Sequence, residues 1–209
     1  EYVDMIMIRT FEQEKVEKLA KSAKVPVING LTDLYHPCQI LSDVFTIIEK
    51  TNGNFVDNTE NFKKLNLLYM GDGMNVANSL IEASNIFGFN IFVATPIGYE
   101  PRLKTNLIKV KDIPDIIKKA DVIYADVWTS MGKEKEREKR IKDFKDYQVN
   151  SEIMNGAKNN VLIMHCLPAH RGEEITNEVI DGKNSIVFEQ AGNRLHVQKA
   201  IMLHCTNEI

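Results

Sequence analysis

From Leu65 onward the chain alternates short, continuously apolar runs with segments of helical spacing, and few architectures accommodate that pattern. Leu67 to Met70, Asn90 to Ala94, Val122 to Ala125 and Val161 to Met164 have the length of buried strands. Val76 to Phe87, Ile113 to Lys119, Lys133 to Lys145, Ser151 to Ala157, Thr176 to Ile180 and Ala191 to about His204 read as helices, with Ile186 to Phe188 extended. Strands that are apolar throughout are covered on both faces, so the spacing predicts an α/β fold, an open parallel sheet flanked by helices. Upstream, Val3 to Ile8 and Val25 to Ile28 are predicted strands around a helix from Phe11 to Ala23. Asn29-Gly30 reads as a turn, and Pro37 suits the first turn of a helix from Cys38 to about Lys50. The Asn-rich segment Thr51 to Lys64 is expected to be a loop separating the two regions. Because the chain opens directly on an apolar run, an upstream part is expected to be missing from it.

Composition narrows the partners. The 26 basic and 29 acidic side chains give a net charge of -3 with no basic stripe, so neither nucleic acid nor an anionic membrane is expected. No apolar run approaches the roughly 20 residues of a membrane span, and a cytoplasmic location is expected. Cys38, Cys166 and Cys205 lack paired spacing, which predicts reduced thiols and no metal site.

Four segments carry residues suited to chemistry. Met164-His165-Cys166-Leu167-Pro168-Ala169-His170-Arg171-Gly172 follows a predicted strand, and Pro168 forbids immediate helix, so Cys166 belongs on a loop at a strand's carboxyl end, where open α/β sheets bind ligands. The competing reading makes Cys166 a core filler and His165 a satisfied core histidine. Gly71-Asp72-Gly73-Met74-Asn75 opens a helix after a strand, but Val76 stands where a dinucleotide fingerprint needs its third glycine, which argues against an NAD-linked oxidoreductase. Asn75 is then either a recognition amide or a helix cap. Asp126, with Ser130 on the same loop, either holds a cationic amine or caps the next helix. Tyr35-His36-Pro37-Cys38-Gln39 sits at a helix start suited to an anion, and Arg9 and Arg194 are candidate anion clamps. Arg9 is placed at a strand end and Arg194 at the start of the last helix. The mixed-sign run Lys133 to Arg140 reads as a solvated helix face.

Taken together, His36-Pro37-Cys38-Gln39, Asp126 to Gly132 and His165-Cys166-Leu167-Pro168 resemble, in order, the His-Pro-x-Gln, Asp-x-x-x-Ser-Met-Gly and His-Cys-Leu-Pro motifs of the ornithine carbamoyltransferases. The resemblance covers about the last two thirds of a family member and leaves out the Ser-x-Arg-Thr phosphate loop. It implies a remnant of a carbamoyl-phosphate domain over residues 1–37, a Rossmann-like ornithine-binding domain over 38–190 and a closing helix over 191–209. It implies transfer of a carbamoyl group from carbamoyl phosphate to L-ornithine, without cofactor, in a homotrimer or an assembly of trimers serving arginine biosynthesis. By position, Arg9, His36, Gln39, Cys166, Leu167 and Arg194 would contact carbamoyl phosphate, and Asn75, Asp126, Ser130 and Met131 would hold ornithine. Asp126, Cys166 and Arg194 would carry the chemistry. Met74 and Gly192 depart from the family pattern, which commonly has Asn and Glu there. Two alternatives accompany this reading: a relative acting on putrescine or an acylated ornithine, against which Ser130-Met131-Gly132 argues, and a non-catalytic ornithine-binding fragment.

Overall fold

The computed structural model describes residues 2–51, 62–130 and 132–206. Most of the expected Thr51 to Lys64 loop, and Met131, lie outside the described residues. Strands β1 (Ile6–Arg9) and β2 (Val27–Leu31) pair in parallel across helix α1 (Gln13–Ser22), and α2 (Pro37–Lys50) leads away from them. A second sheet follows: β3 (Asn66–Met70), α3 (Asn75–Phe87), β4 (Asn90–Ala94), β5 (Asn106–Ile108), α4 (Ile113–Ile117), β6 (Val122–Ala125), α5 (Arg137–Phe144), α6 (Ser151–Gly156), β7 (Leu162–His165), α7 (Asn177–Ile180) and α8 (Val187–Cys205). Its order is β5-β4-β3-β6-β7, every pairing parallel. The expected α/β class is what the chain adopts.

Successive residues of the central strands bury on opposite faces. Leu67, Tyr69 and Tyr124 join one core with α2 and α3, while Leu68, Met70 and Ile123 join the other with α4 and α7. This two-sided burial is why no polar alternation marks these strands. The chain leaves β3 toward one side of the sheet and β6 toward the other, so their carboxyl ends form a topological switch point, where loops diverge and open a crevice.

Four local expectations are corrected. Asn29-Gly30 is no turn but part of β2, at an irregularity where Ile8 pairs with Asn29 and Arg9 with Leu31. A methyl group on Gly30 would lie 2.6 Å from the Met7 sulfur, so the glycine admits the neighbouring strand. Ile186 to Phe188 is not extended: Ile186 precedes α8, Val187 begins it, and the two bury in opposite cores while Phe188 faces out, as helical spacing requires. The Lys133 to Lys145 helix divides into α5 and a 3-10 turn on either side of it. Finally β5, unforeseen, is a three-residue edge strand.

Candidate active site

The loops at the switch point and the ends of β1, β7 and α2 enclose a cavity of about 240 Å³. Arg9, His36, Gln39, Asn75, Asp126, Ser130, Cys166, Leu167 and Arg194 all line it, so nine of the ten residues singled out from the sequence meet in one place; the tenth, Met131, lies outside the described residues. A larger groove of about 430 Å³ between α2 and α3 is lined by apolar side chains such as Ile40, Leu41, Ile86 and Phe87 and by several neutral polar ones, with Glu82 the only charged residue in its lining.

Glycines set the crevice walls. A methyl group on Gly71 would stand 2.8 Å from the Asp126 carbonyl oxygen, and one on Gly73 would stand 2.3 Å from that of Tyr99. These glycines therefore serve loop-to-loop approach, which accounts for Gly-x-Gly without a nucleotide fingerprint. Asn75 begins α3 but caps nothing: its amide donates to the Thr32 carbonyl at 2.8 Å, tying the large sheet to the end of β2.

Asp126 is buried and caps no helix. Its Oδ1 accepts from the Val127 amide at 2.8 Å and from the Cys166 thiol at 3.1 Å, and its Oδ2 lies 2.8 Å from the Tyr69 hydroxyl. Burial raises the Asp126 pKa against these hydrogen bonds and the nearby His165. Burial, and then the Asp126 charge, push the Cys166 thiol well above its usual range. The thiol therefore stays protonated and donates, which suits a positioning group and not a thiolate nucleophile.

On the opposite wall, burial and the charges of Arg194 and Arg9 lower His36 to about 4, so its imidazole is neutral at pH 7. Its backbone amide donates to Ser79 at 2.7 Å, while Nδ1 is buried without a partner among the described residues. Arg194 lies inside α8 and not at its start; it donates to the Gln39 side-chain oxygen. Gln39 in turn donates to Asp43 at 2.8 Å, and Asp43 also accepts from Gln190 at 2.7 Å and from Tyr124 at 2.8 Å. This buried layer connects α2, β6 and α8 beneath the cavity. Burial lifts Asp43 to about 6 against those three donors.

The reading of Lys133 to Arg140 as a solvated face fails at Arg140, which is 4% exposed. Its guanidinium donates to Asp72 at 2.6 Å and to the Trp128 carbonyl at 2.9 Å, bracing the loop after β3 against the loop after β6. Ser130 reaches the same Asp72 oxygen at 3.3 Å. Asp72, Arg140, Asp43 and Glu174 are the supporting residues that sequence reasoning did not single out. Only Asp72, inside the glycine pair, carried a signal.

His165 is 1% exposed; Nδ1 accepts from the Leu167 amide at 2.9 Å and Nε2 lies 3.1 Å from Glu174. The core-histidine alternative thus describes His165 itself, whereas Cys166 and Leu167 open onto the cavity.

Residues 63–205 match the profile of the aspartate/ornithine carbamoyltransferase Asp/Orn binding domain, and residues 1–49 that of the carbamoyl-P binding domain. The chain is 51% identical to an ornithine carbamoyltransferase of Oceanobacillus iheyensis over 96% of its own length and 64% of that relative's. It is 47% identical to one of Archaeoglobus fulgidus over 97% of its length and 66% of the relative's. The solved ornithine carbamoyltransferase of Pyrococcus furiosus superposes on all of the chain with a TM-score of 0.86 and 46% identity, 68% of that structure being covered. That of Thermus thermophilus gives 0.85 and 41%, covering 98% of the chain and 67% of the structure. The motifs, their meeting in one crevice and these likenesses agree: the chain belongs to the aspartate/ornithine carbamoyltransferase family.

Proposed function

We propose that this chain acts as an ornithine carbamoyltransferase, converting carbamoyl phosphate and L-ornithine to L-citrulline and phosphate. The observation that carries the reading is the meeting of Asp126, Cys166 and Ser130 with Arg9, His36, Gln39 and Arg194 around one cavity at the switch point. Acidic and amide groups gather on the β3 and β6 side, cationic and neutral donors on the α2 and α8 side, matching an amine on one wall and a phosphate on the other. In this reading Arg9, His36, Gln39 and Arg194 bind carbamoyl phosphate, with Cys166 and Leu167 at its carbamoyl end. Asn75, Asp126, Ser130 and Met131 hold ornithine.

The reacting amine must lose a proton, at a cost of about 5 kcal/mol at pH 7 from a pKa of ~10.4. Asp126, made more basic by burial, is placed to attract the ammonium and take up that proton. Cys166 holds one Asp126 oxygen and forms the wall between the two substrates. Arg9 and Arg194 offset the charge developing on the carbonyl oxygen and departing phosphate. A role in arginine biosynthesis, a cytoplasmic location and a trimeric assembly accompany this proposal; none of the described helices is long and apolar enough to cross a membrane.

The chain spans 64% of the length of the first relative described above, which favours a second reading, an ornithine-binding piece without turnover. Citrulline formation, measured with this chain and carbamoyl phosphate, separates the two. Turnover with ornithine, and loss of at least tenfold in Cys166→Ala, is the result expected of the transferase. Faster turnover of putrescine would replace ornithine as acceptor. Calorimetric binding of ornithine without citrulline would favour the fragment reading.

A further inference from the structure

The loop Cys166 to Ala169 contributes three residues to the cavity, yet its most constrained residue is held from outside. Leu167 has φ of +55°, the left-handed region that a γ-branched side chain adopts at a cost of about 1 kcal/mol or more. Its amide donates to His165 Nδ1 at 2.9 Å. That bond requires Nδ1 to be unprotonated, so a neutral imidazole must carry its hydrogen on Nε2. Nε2 faces Glu174 Oε1 at 3.1 Å, and both side chains are wholly buried. The same Oε1 accepts from the His170 amide at 2.5 Å. One carboxylate oxygen therefore receives a hydrogen bond from each end of the loop.

Glu174 is itself anchored: its carbonyl accepts from the Val149 amide at 2.8 Å. The His165 amide donates to Gln190 of α8 at 2.9 Å. Neither Glu174 nor the His165 ring lines the cavity, so neither is placed to touch a ligand there.

We propose that Glu174 is a positioning residue of this site: by selecting the Nε2–H tautomer of His165 it supplies the acceptor that holds Leu167 left-handed and Cys166 beside Asp126. Its catalytic consequence rests on the carbamoyl-transfer reading; the hydrogen-bond chain itself does not.

The experiment is nitrogen-15 NMR of the imidazoles in the 209-residue chain, with hydrogen exchange at the Leu167 amide, His165 being assigned by His165→Gln. In the unsubstituted protein the His165 proton is expected on Nε2. Glu174→Gln keeps an acceptor in place and should retain both the tautomer and slow Leu167 exchange. Glu174→Leu removes the acceptor and should mix the tautomers and speed Leu167 exchange by about tenfold or more. A proton on Nδ1 in the unsubstituted protein would overturn the proposal. So would unchanged Leu167 exchange in a folded Glu174→Leu, or a loss in Glu174→Gln as large as in Glu174→Leu. Should Glu174→Leu fail to fold, the tautomer and the Glu174→Gln exchange rate still decide. Because neither readout needs turnover, absence of citrulline formation would count against the transferase reading alone.

Discussion

Arg140 illustrates how one side chain can have two readings with opposite consequences. In the run Lys133 to Arg140 every basic residue carries the same signal, and burial is decided by which turn of α5 faces Tyr99 and Trp128. The structure turns Arg140 inward onto Asp72, and a buried ion pair of this kind is fragile to loss of one partner. Arg140→Met is expected to destabilise the fold by about 3 kcal/mol, because Asp72 would be left 3% exposed with its nearest cation gone. Adding Asp72→Asn should recover more than half of that in urea unfolding. No recovery would mean that packing, and not charge, is what Arg140 supplies. The residues of the cavity itself were more legible. Proline, glycine and side chains with donors or acceptors at predicted strand ends mark where chemistry can occur, and Cys166, Asp126 and Asn75 stand at such ends. Asp43 and Glu174 were silent because a buried carboxylate within a helix or turn has the same spacing as an exposed one.

At the scale of elements, period and punctuation located most strands and helices, and the failures share a cause. An apolar triplet such as Ile186-Val187-Phe188 fits a strand or the first turn of a helix equally well, and only the two cores beside it choose. The β5 edge, with Asn106 and Leu107 exposed, is too short and too polar to show a period. Glycines divide in the same way between those with a neighbour and those without. Gly73→Ala would bring a methyl group against the Tyr99 carbonyl and the Pro101 nitrogen, both backbone, and is expected to cost about 2 kcal/mol or more. Gly192 lies inside α8 with nothing within 4 Å of an added methyl, so Gly192→Ala should stabilise by about 1 kcal/mol through helix propensity. Thermal unfolding of the two variants checks both signs. Two shifts in the same direction would show that the crevice loops yield more than their backbone contacts allow.

Across the whole molecule, proton binding reports on the buried layer that joins α2, β6 and α8. Asp43 is raised by burial from 3.8 to about 6, so between about pH 4 and 6 the folded chain holds more protons than the unfolded chain. Stability from this group is complete below pH 4 and is lost as pH rises through 6. Asp72, also raised to about 6 by burial, acts in the same direction; His36, lowered to about 4, acts in the opposite one. Comparing wild type with Asp43→Asn removes the shared contributions. The difference between their stabilities is expected to change by about 2 kcal/mol between pH 4 and 7, and a constant difference would mean that Asp43 does not titrate in the fold. The close approach of Gly71 to Asp126 has a mechanical consequence at this scale. With no clearance between them, the loop after β3 cannot shift toward the loop after β6 without displacing it, and the only tryptophan of the chain, Trp128, sits on that second loop with its carbonyl held by Arg140. Trp128 is buried and does not itself line the crevice, so its fluorescence is expected to follow a displacement of that loop, legible without any label attached to the protein.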